Sequence, residues 1–271
     1  MNKTLERLYR RATSRGRALP DFIIAGAMKS GTTSLFSHMA QHPGIFPTNK
    51  KEVHYFDGGL SPSADTYRRG EAWYRTHFPL RREMGAGAKA FEASPLYMFN
   101  PVAAGRIASL LPEVKIIIAL RNPTDRAISH YFHEKRKGRE PLPILEAFHR
   151  EEERLAGALR TQNYKDQSFI HHSYKARGMY CEQVERFFQV LPRGQILILN
   201  SSDVFADAEG TLRRVLEFVG VDPDAEVGSL EARNVATNKS KVDPGVYRYL
   251  DGHFSAENER LYEILGEDFG W

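Results

Sequence analysis

One short stretch constrains this chain more than any other: residues 20–34, Pro-Asp-Phe-Ile-Ile-Ala-Gly-Ala-Met-Lys-Ser-Gly-Thr-Thr-Ser. The apolar run Phe22, Ile23, Ile24 and Ala25 predicts a buried strand. A turn bounded by Gly26 and Gly31 follows. Thr32, Thr33 and Ser34 then lead into Leu35, Phe36 and Met39, whose spacing predicts a helix. A strand, a tight turn and a helix N-terminus in that order make an anion site. The free N–H groups of the first helical turn point at the ligand, and the helix dipole adds partial positive charge.

The lysine narrows the kind of anion. A Walker A loop needs Gly-x4-Gly-Lys-Ser/Thr. Gly26 and Gly31 keep that spacing, but Thr32 stands where the lysine belongs. The cation is Lys29, inside the loop, so it is aimed differently. Glycines that merely ease a chain reversal do not explain a lysine and three consecutive hydroxyls at one strand end.

The rest of the chain predicts an α/β fold, a single domain with a central parallel sheet flanked by helices. Its 271 residues suit one large domain, and 41% hydrophobic residues suffice for a core. Further strands are expected over 89–93, 114–120 and 195–199. The run 114–120 is nearly all apolar, as a central parallel strand should be. Helices are expected over 101–111, 123–137, 142–159, 180–191 and 210–219, with two short ones over 244–265. Segments 57–88 and 222–245 read as irregular and long enough to shape a substrate site. Residues 1–19, with Arg7, Arg10, Arg11, Arg15 and Arg17, read as a basic, solvated N-terminal helix or tail before a domain spanning 20–271.

Several classes are disfavoured. The net charge of +4 favours an anionic ligand only weakly, and no long basic arm points to nucleic acid. The one cysteine, Cys181, cannot form an intramolecular disulfide and reads as a small packing residue. No apolar run approaches the roughly 18 residues of a membrane span. The N-terminus lacks the apolar centre of a signal peptide, so a cytoplasmic protein is expected. His130 and His133, and the adjacent His171 and His172, lack the third ligand of a zinc site and read as surface or structural residues. The charged stretches 134–139 and 146–160 read as solvated faces or a substrate rim.

A second anion site is expected where the run 114–120 ends. Arg121 stands at the strand's carboxyl end, where open parallel sheets bind ligands. Pro123 opens the next helix, and Ser129 lies two turns along it. A guanidinium and a hydroxyl together suit a phosphate.

These motifs carry a family resemblance. Gly26-Ala-Met-Lys-Ser-Gly-Thr-Thr33 resembles the 5′-phosphosulfate loop of sulfotransferases that use 3′-phosphoadenosine 5′-phosphosulfate (PAPS). Arg121-Asn-Pro-x5-Ser129 resembles their 3′-phosphate motif. Lys51-Glu-Val-His-Tyr-Phe-Asp57, Ala72-Trp-Tyr-Arg75, Arg177-Gly-Met-Tyr180 and Asp268-Phe-Gly-Trp271 resemble the heparan sulfate (glycan) sulfotransferase branch, here as a bacterial-type member. The ordered set covers residues 20–271.

The resemblance implies transfer of a sulfuryl group from PAPS to an acceptor hydroxyl on a glycan or small metabolite, with no metal. It implies that Lys29, Ser30, Gly31, Thr32, Thr33 and Ser34 hold the 5′ end, with Lys29 neutralising the leaving oxygen. Arg121 and Ser129 would grip the 3′-phosphate. Arg177, Gly178, Tyr180, Lys239 and Lys241 would close over the nucleotide. Glu52 matches the catalytic base. His54, two residues on and on the same side of an extended chain, would orient the acceptor or act as base itself. Asp57 matches an acceptor contact. The branch usually carries a lysine where this chain has Ala93. Lys50, Lys51 and Arg75 are candidate replacements; otherwise the acceptor is less anionic. A divergent P-loop kinase or NTPase and a basic nucleic-acid-binding domain are the competing readings.

Overall fold

The computed structural model of the protein describes residues 3–228 and 242–271. Five strands make one fully parallel sheet in the order β2-β3-β1-β4-β5. They are β1 (Phe22–Gly26), β2 (Ile45–Pro47), β3 (Lys89–Ala93), β4 (Lys115–Leu120) and β5 (Ile196–Asn200). Helices connect them and cover both faces, giving the expected single-domain α/β architecture.

Alternation of side chains decides which face each residue serves. Ile23, Ala25, Ile116 and Ile118 point into a core shared with Tyr97, Ile107, Tyr180, Cys181 and Phe187. Phe22, Ile24, Ile117 and Ala119 point the other way, onto Leu35, Met39, Leu212 and Leu216. Every residue of β1 is buried, which is why its sequence reads as a continuous apolar run rather than an alternating one.

Three features of this sheet place a site. All strands run the same way, so the carboxyl ends of β1, β3 and β4 lie side by side. The chain leaves β1 toward β2 and leaves β4 toward β5, in opposite directions, so a crevice opens over their ends. The register of β1 against β4 slips between Ile24 and Gly26, which turns the chain out of the sheet as the loop begins.

Several expectations need correcting. The C-terminal segment is one 22-residue helix, Pro244–Leu265, not two. Val246, Leu250, Phe254, Asn258 and Leu261 form one buried stripe along it, which overrides the helix-weakening Gly252. Residues 142–159 instead form two helices, Ile144–His149 and Glu151–Arg160. At the break, the buried Glu151 turns its carboxylate inward onto the backbone N–H groups of Lys175 (2.6 Å) and Ala176 (2.8 Å). That end of the charged 146–160 stretch is therefore not solvated. Strand β2 was missed because three residues carry no period. Three of the N-terminal arginines, Arg7, Arg10 and Arg11, lie on a helix, Lys3–Ala12, and Arg15 and Arg17 follow it, but two of the five are not free in solvent. Arg10 donates to Thr76 O (3.0 Å), and the buried Arg17 donates to Phe78 O (2.7 Å).

Candidate functional site

The loop leaving β1 is held by its neighbours before any ligand is considered. Ala27 N donates to Ala119 O of β4 (2.8 Å). Lys29 adopts a left-handed backbone (φ 72°), and Gly31 does the same (φ 83°) as the residue that caps the helix Thr32–Met39. Glycine takes that conformation without penalty; lysine does not, so its neighbours must impose it. Arg121 Nη1 does so by donating to Lys29 O (3.1 Å), and Tyr180 Oη in turn donates to Arg121 O (2.9 Å). The loop, the end of β4 and Tyr180 thus form one connected unit.

The charge around Lys29 is uneven. Burial lowers its ammonium pKa, and the nearby Arg136, Arg121 and Arg126 push it further down, against the opposing pull of Glu134. Among the described residues the Lys29 side chain has no hydrogen-bond or ion-pair partner. A cation desolvated beside three others is a site prepared for an anion.

The second expected phosphate site has its local frame. Asn122 caps the helix Pro123–Arg136 by accepting from Asp125 N (3.2 Å), with Pro123 at its first position. Arg121 precedes that cap, reaches Asp125 Oδ2 at 3.4 Å, and has the buried Ser129 two turns along the same helix.

The acceptor side hangs from the end of β3. Glu52 N donates to Ala93 O (3.0 Å), which places residues 51–57 against the edge of the crevice. Glu52 (φ 61°) and His54 (φ 55°) are both left-handed, not extended as expected. They still share a side: His54 Nε2 lies 3.4 Å from Glu52 Oε2, and His54 Nδ1 lies 2.6 Å from Asp57 Oδ2. Lys51 Nζ lies 3.1 Å from Glu52 Oε1 and 3.0 Å from Thr33 Oγ1, so it spans from the β3 side to the β1 loop.

This chain of charges fixes protonation. Burial lowers the His54 imidazole, but hydrogen bonds and charge from Asp57 and Glu52 outweigh it and raise it to about 9. Burial raises the Glu52 carboxyl, but His54 and Lys51 outweigh it and bring it to about 2. At neutral pH Glu52 is therefore a carboxylate and His54 an imidazolium.

Other candidate residues are placed differently. Arg177 is buried and occupied: its guanidinium donates to Ser173 Oγ (2.7 Å), Ile170 O (2.9 Å) and Phe169 O (3.3 Å), and touches Met28 Sδ at 3.2 Å. It braces the loop from behind. A Cβ on Gly178 would meet Phe254 at 2.7 Å and Pro123 at 3.0 Å, so the close packing there requires glycine. Arg75 points away, donating to Arg17 O (2.6 Å) and pairing with Glu71 (2.5 Å). Lys239 and Lys241 lie outside the described residues. Thr32, Ser30 and Ser34 are buried in the loop and first helical turn.

Two clusters escaped the sequence reading. Glu134, in the stretch read as solvated, is buried; His171 Nδ1 (3.3 Å), His130 Nε2 (3.7 Å), His133 Nε2 (3.8 Å) and Arg139 Nε (2.6 Å) gather on its carboxylate. The i, i+3, i+4 spacing of His130, His133 and Glu134 was a legible signal; His171, from a distant segment, was not. Among the described residues, no group of three or more His, Cys, Asp or Glu is arranged to hold a metal ion. The other cluster centres on Glu92 of β3, a buried carboxyl bonded by the hydroxyls of Tyr74, Ser94 and Tyr97.

Known proteins share this framework. Residues 19–258 match the family described as the sulfotransferase domain. A membrane-associated sulfotransferase, kil1, from Dictyostelium discoideum is 26% identical over 93% of this chain and 66% of its own length. Mouse heparan sulfate glucosamine 3-O-sulfotransferase 3A1 is 28% identical over 94% of this chain and 65% of its own. This chain thus spans just under two thirds of those relatives. The crystal structure of a sulfotransferase from Alicyclobacillus acidocaldarius superposes with a TM-score of 0.75 at 30% identity, covering 93% of this chain and 97% of that one. Among the described residues no helix is long and apolar enough to cross a membrane. The match and the fold favour sulfuryl transfer over a P-loop kinase, in keeping with Thr32 at the Walker lysine position, and the chain belongs to the sulfotransferase domain family.

Proposed function

We propose that this protein transfers a sulfuryl group from PAPS to a hydroxyl of a glycan or small hydroxylated metabolite. The observation that carries the proposal is the crevice itself: Lys29, without a side-chain partner among the described residues, sits on the β1 loop, and Lys51 ties Thr33 on that side to the ionised Glu52 on the β3 side. A donor with two separate anionic ends suits the two cationic positions, the β1 loop and Arg121 with Ser129. The excess of cations around Lys29 fits such a polyanion, and PAPS would supply the activated sulfuryl group.

In this reading the chain's residues divide the work. The N–H groups of the Thr32–Met39 helix and the Thr32 and Thr33 hydroxyls hold the 5′-phosphate. Lys29 offsets charge appearing on the leaving oxygen. Glu52 takes the acceptor's proton. A carboxyl near 2 is a weak base, but the acceptor hydroxyl becomes strongly acidic as its oxygen bonds to sulfur, so late transfer to Glu52 suffices. His54, already protonated, orients Glu52 and is itself held by Asp57. Lys51 supplies the cation that Ala93 lacks. The heparan sulfate name of the mouse relative favours a sugar acceptor.

The test is incubation with labelled PAPS and a panel of glycans, phenols and metabolites, with products identified by mass spectrometry. A sulfated product is expected. A parallel thermal-shift measurement should show stabilisation by 3′-phosphoadenosine 5′-phosphate; a shift with ATP alone overturns the proposal.

A further inference from the structure

Glu92 presents a physical puzzle. It lies in β3, which pairs with β1 on one side and β2 on the other, and its residue exposure is 0%. An apolar residue would fill this position without the cost of burying a carboxyl, and replacing buried polar networks by well-packed apolar groups is often neutral or stabilising. The network around Glu92 therefore calls for a reason other than stability.

The hydrogen bonds supply one. Ser94 Oγ donates to Glu92 Oε2 (2.9 Å), and the same oxygen accepts from His54 N (3.3 Å). Tyr97 Oη donates to Glu92 Oε1 (3.1 Å), and the same oxygen accepts from Tyr55 N (2.8 Å). Tyr74 adds a third donor from the helix Gly70–Arg75. Two relays thus run from one carboxyl to two successive backbone N–H groups of the loop that carries Glu52, His54 and Asp57. That loop needs outside restraint, because Glu52 and His54 are both left-handed and neither is glycine.

We propose that Glu92 is a positioning residue for sulfuryl transfer: through Ser94 and Tyr97 it fixes the backbone of His54 and Tyr55, and so aims the Glu52–His54–Asp57 chain at the acceptor. This rests on the function proposed above. The acceptor of each relay is a hydroxyl whose own proton must point at Glu92; that leaves its lone pairs for the backbone N–H. Burial pushes the Glu92 carboxyl up to about 7 against the bonds from Tyr74, Ser94 and Tyr97; once ionised it only accepts, and so sets that direction. An amide at position 92 presents one N–H₂ group in place of an oxygen and forces one relay to reverse. The charged and titratable groups facing Glu92 are Tyr74, Tyr97 and, through space, Asp57.

The test compares the wild type with Glu92→Gln and Ser94→Ala in three measurements. These are turnover at saturating PAPS, calorimetric affinity for 3′-phosphoadenosine 5′-phosphate, and the NMR titration of the His54 ring. Both variants should lose roughly tenfold or more in kcat, equivalent to about 1.4 kcal/mol in barrier, with nucleotide affinity unchanged within about twofold. The His54 titration should move down from about 9 toward the ordinary imidazole value as its carboxylates drift away. A folded Glu92→Gln protein with unchanged kcat and unchanged His54 titration overturns the proposal. Should Glu92→Gln fail to fold, Ser94→Ala decides by the same criteria. The titration needs no turnover, so it still reports on Glu92 if the wild type proves inactive with PAPS and the function proposed above fails.

Discussion

The ammonium of Lys51 donates a 3.0 Å hydrogen bond to the hydroxyl of Thr33, joining the segment after β2 to the first turn of the helix after β1. The same ammonium lies 3.1 Å from Glu52. A single cation thus ties the first helical turn after β1 to the Glu52 carboxylate.

Lys51→Ala should therefore lower kcat/KM about ten- to a hundredfold, the range of a lost charge-assisted hydrogen bond. Lys51→Arg should retain part of it. Initial rates with acceptor varied at fixed PAPS measure the effect, and an unchanged Lys51→Ala rate removes the bridge from the mechanism.

Lys29→Ala should cost more, roughly 10²- to 10³-fold in kcat, if its charge acts on the leaving oxygen in the transition state as proposed. Single-turnover rates with labelled PAPS isolate that step. Near-normal turnover would exclude Lys29 from it.

Arg121→Ala should chiefly weaken nucleotide binding, by about 1.5–3 kcal/mol. It also frees Lys29 O, which the Arg121 guanidinium now holds, while Tyr180 Oη keeps its bond to the backbone carbonyl of residue 121. Calorimetry with 3′-phosphoadenosine 5′-phosphate reads this directly, and an unaltered affinity counts against the assignment.

The pH profile should carry an alkaline limb. His54 is raised to about 9 in the folded protein, so its ion pairs are fully present below the ordinary imidazole value near 6.5 and are lost as pH rises through 9. Activity should fall in the same window. Asp57→Asn removes the largest support of the imidazolium and should shift the limb to lower pH. A limb that stays in place in that variant is evidence that another group sets it.

Gly178→Ala should destabilise the fold by about 1–3 kcal/mol, since its Cβ would press on the Phe254 ring and on Pro123. Thermal unfolding should show a drop of several degrees. Nucleotide affinity should fall with it, because Tyr180 follows two residues later.

The fold was legible where burial is two-sided. Residues 116–120 of β4 are apolar because both faces are covered, so that strand announces itself, whereas β2 is too short for any pattern. The helix that carries Ser129 was legible because an Asn-Pro cap starts it beside Arg121. The left-handed backbone of Glu52 and His54 was not legible. No local sequence rule predicts it; it is imposed by Ala93, Ser94 and Thr66, residues 12 to 41 positions away. Arg75 misled for the converse reason: its motif is local, but the carbonyl it serves, Arg17 O, belongs to a segment brought in by the fold. The buried Glu134 and Arg17 were misread as solvated because charge in a sequence does not reveal which charges meet a distant partner.

The order of the sheet has a consequence for how such a protein can diversify. The residues that would grip the nucleotide grow from β1 and β4, while those that would meet the acceptor grow from β3 and the segment before residue 58. Insertions or exchanges on the β3 side can alter which hydroxyl is presented without disturbing the grip on the donor, provided Lys51 still reaches Thr33. Descendants of this scaffold can thus inherit one half intact while natural selection rewrites the other.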